Sequence, residues 1–362
     1  MKFFPPLLTL LTPALSIAPP PDFDPSHPLP AVAQHHFYSQ SLFNSQDVPR
    51  LVMYVQTFTT KDNKPLSLLP LLEQHTRVTH IILASVHLHE TPGEIRLNDD
   101  PFDARKFEEV WKEVKILQGA GIKVSILLGG AAAGTYKNLN GTDDEFYAYY
   151  HPLLNLIKSY NLDGLDIDIE EPVSLSVPLR LLNALYRDLG PSFLLTMSPI
   201  ASALLTPSIS TFSSSSEDTE INLSGFSYFT LDSLATVPGS DTRLIKWFNA
   251  MFYGHFPKGP PHYEDVIEAG WVPERVVMGV LDYANDGQPN AFLTIERLRE
   301  VVGMLKDKYA GMGGFGGIAG WEYFDAGASD GNSEDGMRVE NWEWVRRVGE
   351  VLFGGFGMKS EL

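Results

Sequence analysis

The 362-residue chain contains no cysteine. That excludes a disulfide-stapled scaffold and leaves stability to a packed core, which a chain of this length can supply. Positive charge is scarce as well: 27 Lys and Arg stand against 45 Asp and Glu, for a net charge of −18. A surface of that sign repels nucleic acid and anionic membranes and argues for a neutral or cationic partner, although solubility alone would account for it equally. No apolar run has the length of a membrane span, so no stable membrane association is expected. The N-terminal run, Phe3 to Ile17, is broken by Pro5, Pro6 and Pro13 and ends in small residues; it reads as a secretory signal over residues 1–18. Metal and cofactor motifs are also missing. His35-His36 have no partners at ligand spacing, Gly129-Gly130 with Gly134 lacks the Lys-Ser/Thr of a phosphate loop, and Ser198 lacks the G-x-S-x-G setting of a nucleophile.

Hydrophobic residues at 44% and aromatics at 11% suffice for a large core. After a Pro-rich leader at 19–48, short aliphatic runs alternate with stretches of helical period. The strand candidates are 51–58, 78–88, 123–130, 162–170, 193–200, 247–254, 275–282 and 314–324. Eight strands with intervening helices predict an α/β single domain over 49–356, a (β/α)8 TIM barrel, followed by a tail at 357–362.

Helical stripes are expected at Phe107-Val110-Trp111-Val114-Leu117, at Phe146-Tyr150-Leu153-Leu154-Ile157, at Ile295-Leu298-Val302-Leu305-Tyr309 and at Trp342-Val345-Val348-Leu352. Pro152 predicts a kink or a late start for the second. Residues 206–220 and 326–339 read as surface loops, and Ile221 to Leu231 as an extra strand or hairpin inserted before the sixth strand. Two sequons, Asn140-Gly141-Thr142 and Asn222-Leu223-Ser224, agree with secretion; a monomer is expected. The C-terminal Lys359-Ser360-Glu361-Leu362 resembles an endoplasmic-reticulum retention tetrapeptide except at Ser360.

One stretch calls for a chemical reading. In Leu162-Asp163-Gly164-Leu165-Asp166-Ile167-Asp168-Ile169-Glu170 the strand period of two puts Leu165, Ile167 and Ile169 on one face and Asp166, Asp168 and Glu170 on the other. Three unpartnered charges in an ordinary core would cost several kcal/mol each, so that face lines something polar. Inward neighbours about 6.6 Å apart couple electrostatically, and at least one pKa rises. A carboxyl kept protonated near neutral pH is what a leaving-group oxygen needs from a general acid. Glu170, at the strand's C-terminal end, stands where barrel active sites lie.

Asp163-Gly164-Leu165-Asp166-Ile167-Asp168-Ile169-Glu170 meets every specified position of the DGxDxDxE signature, and so resembles glycoside hydrolase family 18. Leu127-Leu128-Gly129-Gly130 is similar to the family's SxGG element with Leu127 in the Ser position, Met251-Phe252-Tyr253 to the segment with the active-site Tyr, and Trp321 to the substrate-platform Trp. Within the family, Arg50 to Thr57, Ser198 to Leu204, Asn222 to Tyr228 and Gly320 to Phe324 resemble fungal endo-β-N-acetylglucosaminidases.

The resemblance implies a secreted, chitinase-like glycosidase that needs no cofactor or metal. It would act on N-linked glycans, cutting the β-1,4 bond of their GlcNAc–GlcNAc core, with the substrate's own acetamido oxygen as nucleophile. Chitin-type oligosaccharides, or silent glycan binding on the same barrel, are the alternatives. It further implies Glu170 as proton donor, Asp168 on the acetamido N–H, Asp166 as its charge partner, Tyr253 on the acetamido carbonyl and Trp321 under the sugar. Gln56, Gly129 and Gly130 are expected beside substrate. Met197, Met251 and Tyr323 are candidates for the apolar walls, His87 and His89 for sugar contacts, and Asp163 for fixing the strand's entrance. Two departures stand out: Leu127 removes a hydroxyl, and Met251 replaces a residue that is often polar.

Overall fold

The computed structural model describes residues 48–205, 222–254, 256, 259–287, 291–327 and 340–354. The signal, the leader with His35-His36, the C-terminal tail, the loop at 206–220 and most of that at 326–339 lie outside them. The strands are β1 (Arg50–Val55), β2 (His80–Leu88), β3 (Ile95–Leu97), β4 (Asp100–Pro101), β5 (Lys123–Gly130), β6 (Gly164–Ile169), β7 (Leu194–Met197), β8 (Phe248–Met251), β9 (Val276–Leu281) and β10 (Gly317–Trp321). Eight of them pair in parallel in the order β1-β10-β9-β8-β7-β6-β5-β2, and a β1–β2 pairing closes the ring. Each predicted run supplies one stave. β3 and β4 extend β2 as antiparallel strands.

Around the ring lie helices α1 (Pro70–Glu73), α2 (Glu108–Gly119), α3 (Asp143–Ser159), α4 (Ser176–Leu189), α5 (Tyr228–Leu234), α6 (Tyr263–Glu268), α7 (Ile295–Tyr309) and α8 (Asn341–Phe353). None of the described helices is long and apolar enough to cross a membrane. Helix α3 continues through Pro152 rather than starting late. A capping box fixes its start: the Thr142 side chain accepts from the Glu145 amide, and the Glu145 carboxylate accepts from the Thr142 amide at 2.8 Å. Its stripe Phe146, Tyr150, Leu153, Leu154 and Ile157 is buried. Five such side chains at about 1.5–3 kcal/mol each outweigh the roughly 3 kcal/mol an interior proline costs.

The segment expected as an extra strand or hairpin is instead a turn followed by α5, where the Ser227 hydroxyl accepts from the Thr230 amide at 3.3 Å. An isolated antiparallel bridge, Thr236 to Arg243, comes only after it. In α8 the buried indole is Trp344, not Trp342. Gly320 makes room for it: a Cβ there would come within 2.7 Å of the Trp344 ring.

Two cores result. The larger packs the outward strand faces against the helices, and a smaller one inside the barrel holds Val52, Tyr54, Ile82, Ala84, Leu127, Trp247, Val277 and Ala319. Inside the larger core the Arg275 guanidinium grips the buried Asp232 carboxylate at 2.7 and 3.0 Å, joining α5 to the start of β9. Asp232→Ala leaves Arg275 a buried charge without its carboxylate, and a loss of about 3–5 kcal/mol is expected by urea titration. A loss under about 1 kcal/mol would show that the pair is no more than a surface-like contact.

Candidate active site

The acidic face of β6 points into the barrel at its C-terminal end, as the alternation predicts. At the strand's entrance Asp163 accepts from the Val124 amide at 2.9 Å, from the Gln118 side chain at 2.8 Å and from Lys123 at 3.1 Å; it is a fastener there, as expected. Gly164 follows because no side chain fits: a Cβ would lie 2.6 Å from both the Leu194 carbonyl and the Ser125 hydroxyl.

Asp166 is fully buried beneath the cleft. Its carboxylate accepts from the Tyr54 hydroxyl at 2.7 Å, the Thr196 hydroxyl at 2.5 Å, the Asn249 amide at 3.2 Å and the Ser198 hydroxyl. Trp247 in turn donates to the Asn249 oxygen at 2.9 Å and holds that amide in orientation. Burial raises the Asp166 pKa while the donors from Ser198, Thr196, Tyr54 and Asn249 pull it back. Leu127 lies beside Asp166 in the β5–β6 register, so the hydroxyl absent there is one that four other donors make unnecessary. Ser198, set aside as a nucleophile, is one of them.

One step up, Asp168 is 5% exposed, and its Oδ1 has no hydrogen-bond partner among the described residues. Burial first, then Glu170 and Asp166, push its pKa well above the usual carboxylate range. Asp168, Glu170, Tyr253, Trp321, Met251, Gln56 and Gly130 line one cleft of about 250 Å³, together with Ser85, Ala131, Ile200 and Gly254. Burial and the carboxylates of Asp168 and Glu170 hold the Tyr253 hydroxyl protonated far beyond neutral pH, so it is a hydrogen-bond donor there.

Gly129 does not line the cleft. With φ at +101°, its missing Cβ is what admits the Asp168 carbonyl and the Tyr136 ring beside it. Met197 and Tyr323 are not walls of the cleft either. Thr196 and Ser198 face inward to Asp166, so Met197 between them faces the helices, fully buried. Tyr323 lies past the end of β10 and is packed in the same outer core. His87 and His89 line an adjoining concavity of about 680 Å³ that shares Gln56 with the cleft, along with Thr57, Glu90, Asn98 and Asp99.

Two carboxylates that the sequence reading left without roles shape the rim. Glu322 accepts from the Gln56 amide at 2.7 Å, the Thr57 amide at 2.9 Å and the Thr57 hydroxyl at 2.8 Å, tying the end of β1 to the residue after Trp321. Glu171 accepts from the Gly134 amide at 3.0 Å and the Tyr136 amide at 3.1 Å, anchoring the loop after β5 beside Glu170. The Trp321 ring leans on Tyr54 at 5.6 Å, so platform and carboxylate cradle share a support. Such a constellation can donate a proton at Glu170 while holding an amide between Asp168 and Tyr253.

Residues 50–291 match the family model described as glycosyl hydrolases family 18. No curated protein sequence matches the chain. Among solved structures it is similar to the chitinase ChiC from Aspergillus fumigatus, at 38% identity and a TM-score of 0.67 over 82% of this chain and 96% of that one. It is also similar to a fungal endo-β-N-acetylglucosaminidase of family 18, at 34% identity and a TM-score of 0.70 over 85% and 100%. The catalytic domain of a hyperthermophilic chitinase from Pyrococcus furiosus, at 16% identity and a TM-score of 0.57 over 86% and 98%, shares the fold.

Proposed function

The chain belongs to glycosyl hydrolase family 18, and on that premise we propose that it is an endo-β-N-acetylglucosaminidase cutting between the two N-acetylglucosamine units at the core of N-linked glycans. The observation that carries the chemistry is the buried Asp168 Oδ1 without a partner, which faces a cleft where an acetamido N–H would satisfy it.

In this reading Glu170 protonates the glycosidic oxygen as the C–O bond breaks. The substrate's acetamido oxygen closes onto the anomeric carbon, with Asp168 accepting from its N–H and Tyr253 donating to its carbonyl oxygen. Asp166, held by four donors, lies beneath Asp168 as its charge partner. Glu170, now a base, takes a proton from the water that opens the ring, and the β configuration is retained. Trp321 stacks under the ring at the cleavage point.

A glycan rather than a linear polymer is favoured by the lining. Among the described residues of the cleft and the adjoining concavity the aromatic groups are Trp321, Tyr253 and Phe58, while His87, His89, Asn98 and Asp99 offer hydrogen bonds off to one side. A polymer track calls for successive stacking platforms, whereas a branched arm needs polar contacts beside a short slot. Chitin is the second reading, favoured by the similarity to the Aspergillus chitinase. The apolar N-terminal run supports secretion, and a soluble monomer is the simplest form. Incubation with a high-mannose glycoprotein and, separately, with colloidal chitin decides the substrate. Loss of the glycan with one N-acetylglucosamine left on Asn is expected; turnover of chitin alone would overturn the glycan reading.

Tyr54→Phe tests the cradle. It removes a donor that favours ionised Asp166, so that group rises further and the acid limb of the kcat profile moves to higher pH by about one unit, with KM little changed. An unmoved profile would show that Asp166 does not titrate in the mechanism.

A further inference from the structure

A second acidic group lies at the same end of the barrel. Asp282 follows β9, Asp286 ends the turn Ala284–Asp286, and Asp325 ends the turn Tyr323–Asp325 after β10. One oxygen from each lies within 4.8 Å of the others. We propose that the carboxylates of Asp282, Asp286 and Asp325 bind a hard divalent cation, Ca²⁺ above Mg²⁺, that joins the loops after β9 and β10 behind the Trp321 platform.

The independent observation is Asp282. Its side chain is 0% exposed, yet among the described residues neither carboxylate oxygen has a side-chain or neighbouring-backbone hydrogen-bond partner, and the half-buried Asp325 has an Oδ1 in the same condition. A buried carboxylate in that state costs several kcal/mol unless something positive meets it. The nearby charges acting on Asp282 are Asp325, Asp286 and Glu322, all of its own sign. Lys61 acts on Asp325, and is exposed. Among the described residues no positive group meets Asp282, and a bound cation would supply that charge.

The ligand set favours Ca²⁺: it takes six to eight oxygens at about 2.3–2.6 Å in a flexible geometry, which carboxylates from two separate turns can meet, whereas Mg²⁺ demands a near-ideal octahedron at about 2.0–2.1 Å. Glu322 is already committed to Gln56 and Thr57, which leaves the three aspartates and water as ligands. The backbone already links the loops to the platform: the Asp282 amide donates to the Trp321 carbonyl, and the Gly327 amide to the Asp282 carbonyl, each at 3.0 Å.

Full-length protein stripped with EDTA is titrated calorimetrically with CaCl₂ and with MgCl₂ near pH 7, and its Tm is followed in parallel. One saturable Ca²⁺ site is expected, weaker for Mg²⁺, with Tm rising by a few degrees at about 100 times Kd. Asp286 is exposed, so Asp286→Asn should fold normally and weaken Ca²⁺ binding at least about tenfold, while Asp282→Asn abolishes it. No heat and no Tm shift in the wild type up to about 10 mM Ca²⁺, beyond the weakest protein sites, would overturn the proposal. So would a Ca²⁺ response that both variants retain, since that belongs to the acidic surface at large. Because binding is read without substrate, failure here leaves the glycosidase reading untouched.

Discussion

Glu170→Gln is expected to lose about 10²–10⁴ in kcat on a glycan substrate, with substrate affinity and Tm little changed, because the amide has Glu170's shape but no proton to give. The diagnostic lies in the leaving group. A β-N-acetylglucosaminide carrying an activated aryl group departs without protonation, so the same variant should recover most of its first-step rate on it. Equal losses on both substrates would assign Glu170 to something other than acid catalysis.

Asp168→Asn should separate activity from stability. Removing the acceptor that holds the acetamido N–H is expected to slow the first chemical step about 10²–10³-fold, the scale of one preorganised electrostatic contact. Tm at pH 7 should meanwhile rise. Burial and the neighbouring Glu170 and Asp166 raise the Asp168 pKa in the folded protein, and an acid raised in this way costs stability at every pH above its ordinary value near 3.8. The Tm advantage of Asn should therefore shrink as pH falls through the raised folded-state pKa and be gone below about 4, where the unfolded chain binds the proton as well. A variant that is slower and also less stable at pH 7 would show that Asp168 supports the barrel instead of being strained within it.

The reach of the sequence is clearest on β6, where alternation alone assigned three carboxyls to one face and the structure puts them there. The eight staves were legible for the same reason: buried parallel strands read as short aliphatic runs between helical stripes. Met197 obeys the same alternation: the parity that turns Thr196 and Ser198 inward turns Met197 out. Tyr323 was beyond that parity, because it lies past the end of its strand. The segment before α5 carries enough apolar residues for either period; Ser227, as an N-cap, was the signal for helix. The cradle of Tyr54, Thr196, Ser198 and Asn249 around Asp166 depended on inter-strand register, which no single strand contains. Glu322 and Glu171 make their contacts with loops of other barrel units, and the three rim aspartates meet only when the loops after β9 and β10 are brought side by side.

In the proposed mechanism the substrate's own acetamido group performs the displacement above Asp168. Following the anomeric proton of the sugar released from an N-acetylglucosaminide by NMR during the first turnovers reads this out. The β anomer should appear first and mutarotate later, and the same glycoside with a hydroxyl in place of the acetamido group should not be cleaved. First release of the α anomer would mean direct attack by water and would rule out acetamido participation.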